Sequence, residues 1–407
     1  MSQFFPALAH TDTIGYFDSE GKRRLMSVRS LLPQAMASKF LVSLSFNESV
    51  HYASNDAFGN LVHRSQQTEP DISTVFVDCG AFHYVNDDAP KFKRGGYVTS
   101  KTAFDEYMNR HVKHNPNVEY LLCSPDHIIL QGASNEDFSR RRDFILRSAE
   151  GFLKRVEGIR NITPIGVVHG RDAGERAEIA MSLIQLGYDY LAFGGLVPIS
   201  RNAHEVLNQI GGVTDLTNPT IDPKSALGLC MSNGCRTHMF GLNSPEWYRW
   251  WRRIGVTSFD GSKLSQEGAA NGIIWVQSFQ NPNPMTSRDL YDRLQIKNIK
   301  SRQWVQGEKM QVLKTSADGS LNFSNPAWDY LMNSRCTSQR CPQSHVEHNC
   351  DPRVTGSIEH NMGRMVLNAH TFEELMLRID KLCDLANSEP IAAGKEWLKE
   401  WKRVEVG

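Results

Sequence analysis

The stretch Gly255-Val-Thr-Ser-Phe-Asp260-Gly261-Ser262 is a short apolar run that stops at an aspartate followed by a glycine. This pattern is typical of a strand in a parallel barrel, where active-site side chains follow the last residues of the strands. A carboxylate there can act as a nucleophile or a base, and the glycine lets a ligand come close. An Asp-Gly pair is also a common helix cap or turn, so the remainder of the chain decides between the two interpretations.

Six other short apolar runs have the same form, near residues 40, 75, 119, 165, 190 and 238. Segments with the apolar spacing of helices separate several of them, for example 137–157, 174–187 and 246–254. Continuous apolar strands that alternate with helices predict a parallel sheet covered by helices on its outer face.

The alternation predicts an α/β fold, specifically a (β/α)8 TIM barrel, because polar or glycine residues close almost every strand, as a barrel mouth requires. An eighth strand is then needed, and we expect it before residue 40 or between residues 46 and 74. A doubly wound open sheet is the structural alternative. The chain has no Gly-x-Gly-x-x-Gly motif after a first strand, which argues against that alternative.

Composition excludes several classes of protein. The chain of 407 residues is 40% hydrophobic, which is ample for one large domain with additions. Its 45 Lys and Arg residues balance 45 Asp and Glu residues, so global charge indicates no nucleic-acid partner, although the sum would hide a local basic groove. The sequence predicts no membrane span and no secretory signal in residues 1–13, so we expect a cytoplasmic protein.

The sequence changes character after about residue 277 and contains a cysteine cluster, Cys336-x4-Cys341-x8-Cys350. In a reducing compartment, clustered cysteines indicate a metal rather than disulfides. Three thiolates and one imidazole form a closed tetrahedral Zn²⁺ site, and His370 is our first choice for the imidazole. His345, His348 and His360 are alternatives, and two of the cysteines could instead be small buried hydrophobes. The other five cysteines, Cys79, Cys123, Cys230, Cys235 and Cys383, are not expected to bind metal.

We therefore assign residues 1–277 to a barrel-shaped catalytic core. Residues 278–407 are assigned to a C-terminal zinc-binding and helical subdomain packed on the barrel, with a helix predicted from Thr371 to Ala386.

Two aspartates at predicted strand ends, Asp78 and Asp260, are the candidate catalytic pair. Cleavage of a glycosidic bond with retention needs two carboxyl groups, one to attack the anomeric carbon and one to handle the proton of the leaving group. Strands that are distant in sequence can bring such a pair across one barrel mouth. The alternative is that each aspartate caps the helix that follows it.

The other strand ends carry small or polar residues, which suit a pocket for a flat ring. Glycines remove side chains and open room for a ring against the backbone. A carboxylate that faces the N–H edge of a guanine-like base can accept two hydrogen bonds from it. Each glycine could instead serve a turn or helix packing. The residues concerned are Asp126, His169, Gly170, Gly194, Gly195 and Met239.

Two segments are rich in arginine. One is the run Arg140–Arg142, and the other, Trp247–Arg253, combines arginines with aromatic residues. Such sets suit phosphate backbones and unstacked bases. Alternatively, the tryptophans pack the second segment onto the barrel while its arginines reach solvent.

Six motifs, together with the cysteine cluster, resemble those of the tRNA-guanine transglycosylases. These enzymes are zinc-containing (β/α)8 barrels that exchange a guanine in a polynucleotide for a 7-deazaguanine base. The motifs occur in the family's order over roughly residues 74–380. They are Asp78-Cys-Gly-Ala-Phe82, Ser124-Pro-Asp126, Gly166-Val-Val-His-Gly170, Phe193-Gly-Gly-Leu196, His238-Met-Phe-Gly241 and Ser258-Phe-Asp260.

The resemblance implies a role for each matching residue. Asp260 stands at the nucleophile that forms a covalent sugar–enzyme intermediate, and Asp78 stands at the general acid/base. Asp126 matches the carboxylate that recognises the base, and His169 replaces the usual glutamine. The remaining matches line the base pocket (Gly170, Gly194, Gly195, Met239 and Gly241) or bind zinc (Cys336, Cys341, Cys350 and His370).

The departures from the family pattern indicate a different polynucleotide. Cys79 and Ala81 replace a serine and a glycine, and Gly261-Ser-Lys-Leu264 replaces a Cys-Val-Leu-Pro-Thr-Arg run. The cysteines are also further apart than the family's Cys-x-Cys-x-x-Cys. The pattern looks most like the DNA-modifying DpdA-type transglycosylases, which implies that the partners are DNA and 7-cyano-7-deazaguanine. Exchange in tRNA and a non-catalytic nucleic-acid-binding subunit are the alternatives, and helper proteins that open or deliver DNA are expected.

Overall fold

A computed structural model describes most of the barrel and part of the C-terminal region. The described residues are 2–8, 13–17, 23–27, 29, 32–44, 72–92, 95–114, 116–216, 219–270, 273–277, 291–298, 303–306, 365–366, 368–377 and 379–381. The three predicted zinc cysteines, Cys336, Cys341 and Cys350, lie outside these residues.

Eight parallel strands form a nearly closed barrel. In chain order the strands are β1 (Gln3–Pro6), β2 (Thr13–Phe17), β3 (Arg23–Ser27), β4 (Lys39–Ser43), β5 (Thr74–Asp78), β6 (Glu119–Cys123), β7 (Ile162–Val168), β8 (Tyr190–Phe193), β9 (Arg236–Met239), β10 (Ser258–Gly261), β11 (Ile273–Gln277), β12 (Tyr291–Asn298) and β13 (Gln303–Gln306). The barrel consists of β1 and β4 to β10, and β1 pairs with β10. Ala7 bridges Leu41 in parallel, and the Leu8 N–H donates to the Leu41 carbonyl over 3.0 Å, which joins the two edges.

The predicted barrel is confirmed, and its eighth strand is β1, before residue 40. The sequence did not mark this strand because it lies in a mixed segment and ends in a proline, Pro6. The open-sheet alternative is wrong, because the bridge between Ala7 and Leu41 brings the first strand back beside β4.

Helices connect the strands and cover the outer face of the barrel. They are α1 (Gln34–Ala37), α2 (Ser100–Arg110), α3 (Asn135–Val156), α4 (Ala173–Leu186), α5 (Ala203–Gly211), α6 (Ala226–Ser232), α7 (Pro245–Ile254) and α8 (Lys263–Ser265). The boundaries follow local chemistry. The Asp172 side chain accepts from the Glu175 N–H to cap the start of α4, and Gly187 ends that helix with φ 107°, a conformation that favours glycine.

The barrel interior is filled by one apolar cluster from six of the strands. Its members are Phe5, Leu41, Phe76, Leu121, Cys123, Ile165, Val167, Tyr190 and Ala192. Because side chains alternate between the two faces of a strand, the residues two positions further along also face inward, closer to the mouth. Ser43, Asp78 and His169 take these positions after Leu41, Phe76 and Val167.

The helical residues 368–377 pack against the barrel over β1 and β10. Phe372 is fully buried, and its ring centroid lies 5.0 Å from that of Phe4 and 6.2 Å from that of Phe259. Thr371 Oγ1 donates to the Trp275 carbonyl over 3.0 Å, and Asp380 accepts from Tyr248 and Arg252 on α7. The predicted domain boundary at residue 277 remains a prediction.

Two antiparallel sheets accompany the barrel. One is the hairpin of β2 and β3, and the other joins β11, β12 and β13. The last two of these strands lie in residues 287–335, a polar and mixed stretch of the sequence. Within the described ranges, no helix is long and apolar enough to cross a membrane.

Candidate active site

Three carboxylates meet at the mouth of the barrel. Asp78 is the last residue of β5, Asp260 lies in β10, and Asp126 follows the end of β6 by three residues. Both Asp260 and Asp126 act electrostatically on Asp78 and raise its pKa. Strands distant in sequence therefore bring the three predicted carboxylates into one electrostatic environment.

Asp78 has a carboxyl group that can exchange a proton near neutral pH. Burial is the main cause that raises the pKa of Asp78 from 3.8 to about 7, and the Asp260 and Asp126 carboxylates add to it. Hydrogen bonds from Ser43 Oγ, at 2.8 Å, and from the Gly80 N–H act in the opposite direction and lower the pKa. Gly80 has φ 77°, a backbone conformation that favours glycine.

Asp260 is held through one of its two oxygens. Oδ1 accepts from the Gly241 N–H at 3.0 Å and from His238 Nε2 at 3.2 Å. Gly241 has φ 75°, so its backbone orientation depends on glycine. Among the described residues, Oδ2 has no hydrogen-bond partner, which leaves one oxygen of a fixed carboxylate available for chemistry.

Asp126 is buried and bonded at both oxygens. Cys79 Sγ lies 2.6 Å from Oδ1, and His169 Nε2 lies 2.5 Å from Oδ2. Burial, followed by the charge of Asp126, raises the pKa of the Cys79 thiol, so the thiol stays protonated and donates. Tyr84 completes the group, because its hydroxyl donates to the Asp126 carbonyl over 3.2 Å.

The glycines near His169 are required by close packing. A Cβ on Gly194 would lie 2.3 Å from His169 Cε1, and a Cβ on Gly170 would lie 2.7 Å from Cγ of the buried Arg176. Gly195 has φ 71°. Nδ1 of the buried His169 has no hydrogen-bond partner in the described part of the chain. The glycines thus leave room for the His169 ring, whose Nδ1 atom lies close to Gly194 and Gly195 and is available to bond a ligand.

Met239 does not reach the mouth. It is fully buried in the cluster between the strands and the outer helices, together with Phe193 and Phe259. His238 and Phe240, its two neighbours in sequence, lie on the inner face, where Phe240 packs against the interior cluster. Strand alternation therefore places Phe240, rather than the predicted Met239, inside the barrel.

Sequence reasoning also missed polar residues that contact the carboxylates. Ser43 bonds Asp78, and His238 bonds Asp260. The signal was the two-residue period, because Ser43 lies two positions after the inward Leu41 and His238 lies two positions before the inward Phe240.

The cation-rich segments are engaged in packing and ion pairs. Trp247 and Trp251 of α7 are buried and stack with centroids 5.0 Å apart, so these tryptophans pack onto the barrel as the alternative predicted, whereas Arg249 is buried and does not reach solvent. Arg252 pairs with Asp380 at 2.9 Å. Arg140, Arg141 and Arg142 all pair with carboxylates of Asp137, Asp143, Asp88 or Glu178.

The metal prediction concerns mostly residues that lie outside the described ranges. Of the four predicted ligands, only His370 is described, in the helical residues 368–377, where it is half-buried. Within the described ranges, no group of three or more His, Cys, Asp or Glu side chains could hold a metal ion.

The fold and the site define a (β/α)8-barrel protein whose mouth holds three carboxylates. No protein-family model matches the chain. A DNA-guanine transglycosylase from Salmonella montevideo is 24% identical over 236 residues, which are 54% of this chain and 51% of that protein. The chain thus spans about half the length of this curated relative. The similarity supports a relationship to the tRNA-guanine transglycosylase-like superfamily, as the six motifs indicated, and the relative's name describes a glycosyltransferase-type enzyme.

Replacing Gly194 with Ala should displace the His169 ring, because the new Cβ would lie 2.3 Å from it and the ring is buried. Overpacking of this kind costs about 1–3 kcal/mol, so the midpoint of urea unfolding should fall. The downfield histidine N–H resonance of the bond to Asp126 should also disappear from the NMR spectrum. Gly132→Ala is the matched control, because a Cβ there meets nothing within 4 Å. Equal effects of the two substitutions would contradict the packing role of Gly194.

Replacing Asp78 with Asn should change the pH dependence of stability. The pKa of Asp78 is raised from 3.8 to about 7, so folding favours the protonated carboxyl group. Asp78 therefore contributes fully to the stability of the folded protein below pH 3.8, and this contribution is lost progressively as the pH rises to about 7. Asn removes this loss. The unfolding free energy of the variant minus that of the parent should therefore be larger, in the direction of a more stable variant, at pH 8 than at pH 4.5 by roughly 1–3 kcal/mol, after allowance for solvent screening. Urea titrations at both pH values measure this difference, and a pH-independent difference would refute the shift.

Proposed function

We propose that this protein is a DNA-guanine transglycosylase that exchanges guanine in DNA for 7-cyano-7-deazaguanine through a covalent aspartyl–sugar intermediate. The observation that carries the proposal is the pair Asp78 and Asp260, which share one mouth but have different environments. Pairs of titratable groups whose environments differ in this way commonly divide acid/base and nucleophilic roles.

Asp260 suits the role of nucleophile. Two N–H donors, from Gly241 and His238, fix its Oδ1, and Oδ2 is the oxygen that would attack C1′ of the deoxyribose. A carboxylate in a fixed orientation attacks with less loss of entropy than a mobile one.

Asp78 suits the role of general acid and base, because a pKa of about 7 lets it release and accept a proton at the same pH. In the first half-reaction, Asp260 Oδ2 bonds to C1′, the bond from C1′ to guanine N9 breaks, and Asp78 protonates the departing base. In the second, Asp78 takes the N9 proton of the incoming 7-deazaguanine. N9 then bonds to C1′, and Asp260 leaves as a carboxylate. Two inversions give net retention, and no proton or energy source is consumed.

The base would lie beside Asp126 and His169. The target nucleotide must leave the base stack to reach this mouth. Asp126 would accept hydrogen bonds from the guanine N–H edge, with Gly170, Gly194 and Gly195 supporting its partners. Phe82, which is 76% exposed four residues after Asp78, offers a ring on which an extruded base can stack.

DNA is favoured over tRNA by the relative's name, DNA-guanine transglycosylase, and by the Gly261-Ser-Lys-Leu264 run after the nucleophile. The balanced net charge and the engaged arginines of α3 favour weak intrinsic affinity for a polyanion. A helper protein that opens or delivers DNA is therefore part of the proposal.

The exchange assay combines the protein, labelled 7-cyano-7-deazaguanine and either duplex DNA or tRNA, with and without a cell extract that supplies helper proteins. We expect label in DNA from the parent protein, and a loss of more than about 10³-fold with Asp260→Asn, because the nucleophile is removed. Asp189→Asn is the control, because Asp189 lies before the start of β8, away from the mouth, with its side chain 76% exposed. Label in tRNA alone would show that the polynucleotide is wrong, and full exchange by Asp260→Asn would refute its role.

We also propose that Zn²⁺ is held by Cys336, Cys341, Cys350 and His370. Three thiolates and an imidazole suit a closed structural site, which would stabilise the C-terminal region. The helical segment with His370 is bonded to β11, because Thr371 Oγ1 donates to the Trp275 carbonyl.

Metal analysis of the purified protein should find about one zinc per chain. Cys341→Ser should lower that content and the unfolding midpoint together, because metal-binding energy contributes to folding. Cys230→Ser is the control, because Cys230 is buried among apolar side chains in the described part of the barrel. Unchanged zinc content in Cys341→Ser would remove this cysteine from the ligand set.

A further inference from the structure

A buried chain of hydrogen bonds leads from the barrel interior to Asp260. The Tyr190 hydroxyl lies 2.5 Å from Ser258 Oγ, and Ser258 Oγ lies 2.7 Å from His238 Nδ1. His238 Nε2 lies 3.2 Å from Asp260 Oδ1. All four side chains are buried, and they come from the neighbouring strands β8, β9 and β10.

The direction of each hydrogen bond follows from the donors available. An ionised Asp260 only accepts, so His238 Nε2 carries the proton. A neutral imidazole has one N–H, so Nδ1 accepts and Ser258 donates to it. The Ser258 oxygen then accepts from the Tyr190 hydroxyl. All three donors therefore point along the chain toward the carboxylate.

The surroundings keep the His238 ring in place and uncharged. Phe76 stacks on it with centroids 4.2 Å apart, and Phe240 lies edge-on at 4.8 Å. Burial lowers the pKa of His238, although Asp260 partly opposes that effect. A neutral ring between two aromatic rings has one orientation in which it bonds both Ser258 and Asp260.

We infer that Tyr190, Ser258 and His238 form a positioning relay that fixes Asp260 and promotes its departure from the sugar. This inference rests on the proposed base exchange. No proton moves along the relay, because each donor keeps its hydrogen throughout the reaction. His238 acts on Asp260, and Ser258 and Tyr190 act through His238.

The relay favours the second half-reaction because of where charge develops. In the covalent intermediate, Asp260 Oδ2 bonds to C1′ and Oδ1 is the carbonyl oxygen of a neutral ester. When the incoming base displaces the ester, negative charge returns to the carboxylate. Hydrogen bonds to an ionised acceptor are stronger than those to a neutral one, so the His238 N–H stabilises the departing carboxylate more than the ester.

Replacing His238 with Phe tests the relay, because Phe keeps an aromatic ring beside Phe76 and removes the donor to Asp260. Base exchange should fall roughly 10²-fold, the usual loss for one preorganised donor. The fraction of protein trapped as a denaturation-resistant DNA adduct should rise at the same time. A merely structural defect would lower exchange and adduct together.

Ser258→Ala keeps the ring of His238 and removes only the hydroxyl that sets its tautomer. We expect a loss of roughly 5-fold in exchange, again with more adduct, since one neutral hydrogen bond contributes about 1 kcal/mol. In the His238→Phe background, Ser258→Ala should have no further effect, because its action passes through His238. If His238→Phe does not fold, Ser258→Ala carries the test alone.

Tyr190→Phe should reduce exchange less than Ser258→Ala does. Tyr188→Phe is its matched control, because the Tyr188 hydroxyl donates to the Ala149 carbonyl of α3, outside the barrel interior, over 2.8 Å. Both variants lose one buried hydroxyl, but only Tyr190→Phe should lower exchange.

Slower exchange with more adduct in His238→Phe or Ser258→Ala supports the relay. Parental exchange and adduct levels in Ser258→Ala overturn it, and so does a parallel loss of both in the folded variants. A parent protein that exchanges no base, with or without a cell extract to supply helpers, overturns the proposed function itself and the relay with it.

Discussion

The parallel register of the barrel strands is the constraint on which the site depends. It sets Phe5 beside Asp260 and Ser43 beside Asp78. The inward-facing residues that follow the apolar interior by two positions are therefore polar, and they lie together at the mouth of the barrel. A one-residue slip in any strand would turn its functional side chain to the outer face. The apolar interior therefore positions the carboxylates as well as stabilising the fold.

Much of this arrangement could be predicted from the sequence, because buried parallel strands are continuous apolar runs and their ends are polar. The strand β1 could not be found in this way, since it lies in a mixed segment and no clear apolar run marks it. Met239 was predicted to face the pocket, although Phe240 is the residue that faces inward, and the cause is different. A motif locates a segment, whereas only strand alternation tells which of its side chains faces inward. The tryptophans of α7 were ambiguous because aromatic residues serve both packing and nucleic-acid binding.

The site differs from a simple pair of carboxylates in how each is restrained. Burial and neighbouring charges keep a proton available on Asp78 near neutral pH. Asp126 is bonded by Cys79 and His169, and Asp260 by Gly241 and His238. Three chemically identical groups in one mouth thus have three sets of partners, as the different roles proposed for them require.

The most direct test of the proposed mechanism is to locate the covalent bond between protein and sugar. The trapped DNA adduct would be digested with nuclease and trypsin and its peptides weighed by mass spectrometry. The tryptic peptide Ile254–Lys263 contains Asp260 as its only acidic side chain. We predict that the mass of the deoxyribose is found on this peptide. The modified peptide should disappear when the base is added to the intact adduct before digestion. Sugar on a different peptide, or base exchange with no covalent adduct at any time, would contradict the mechanism.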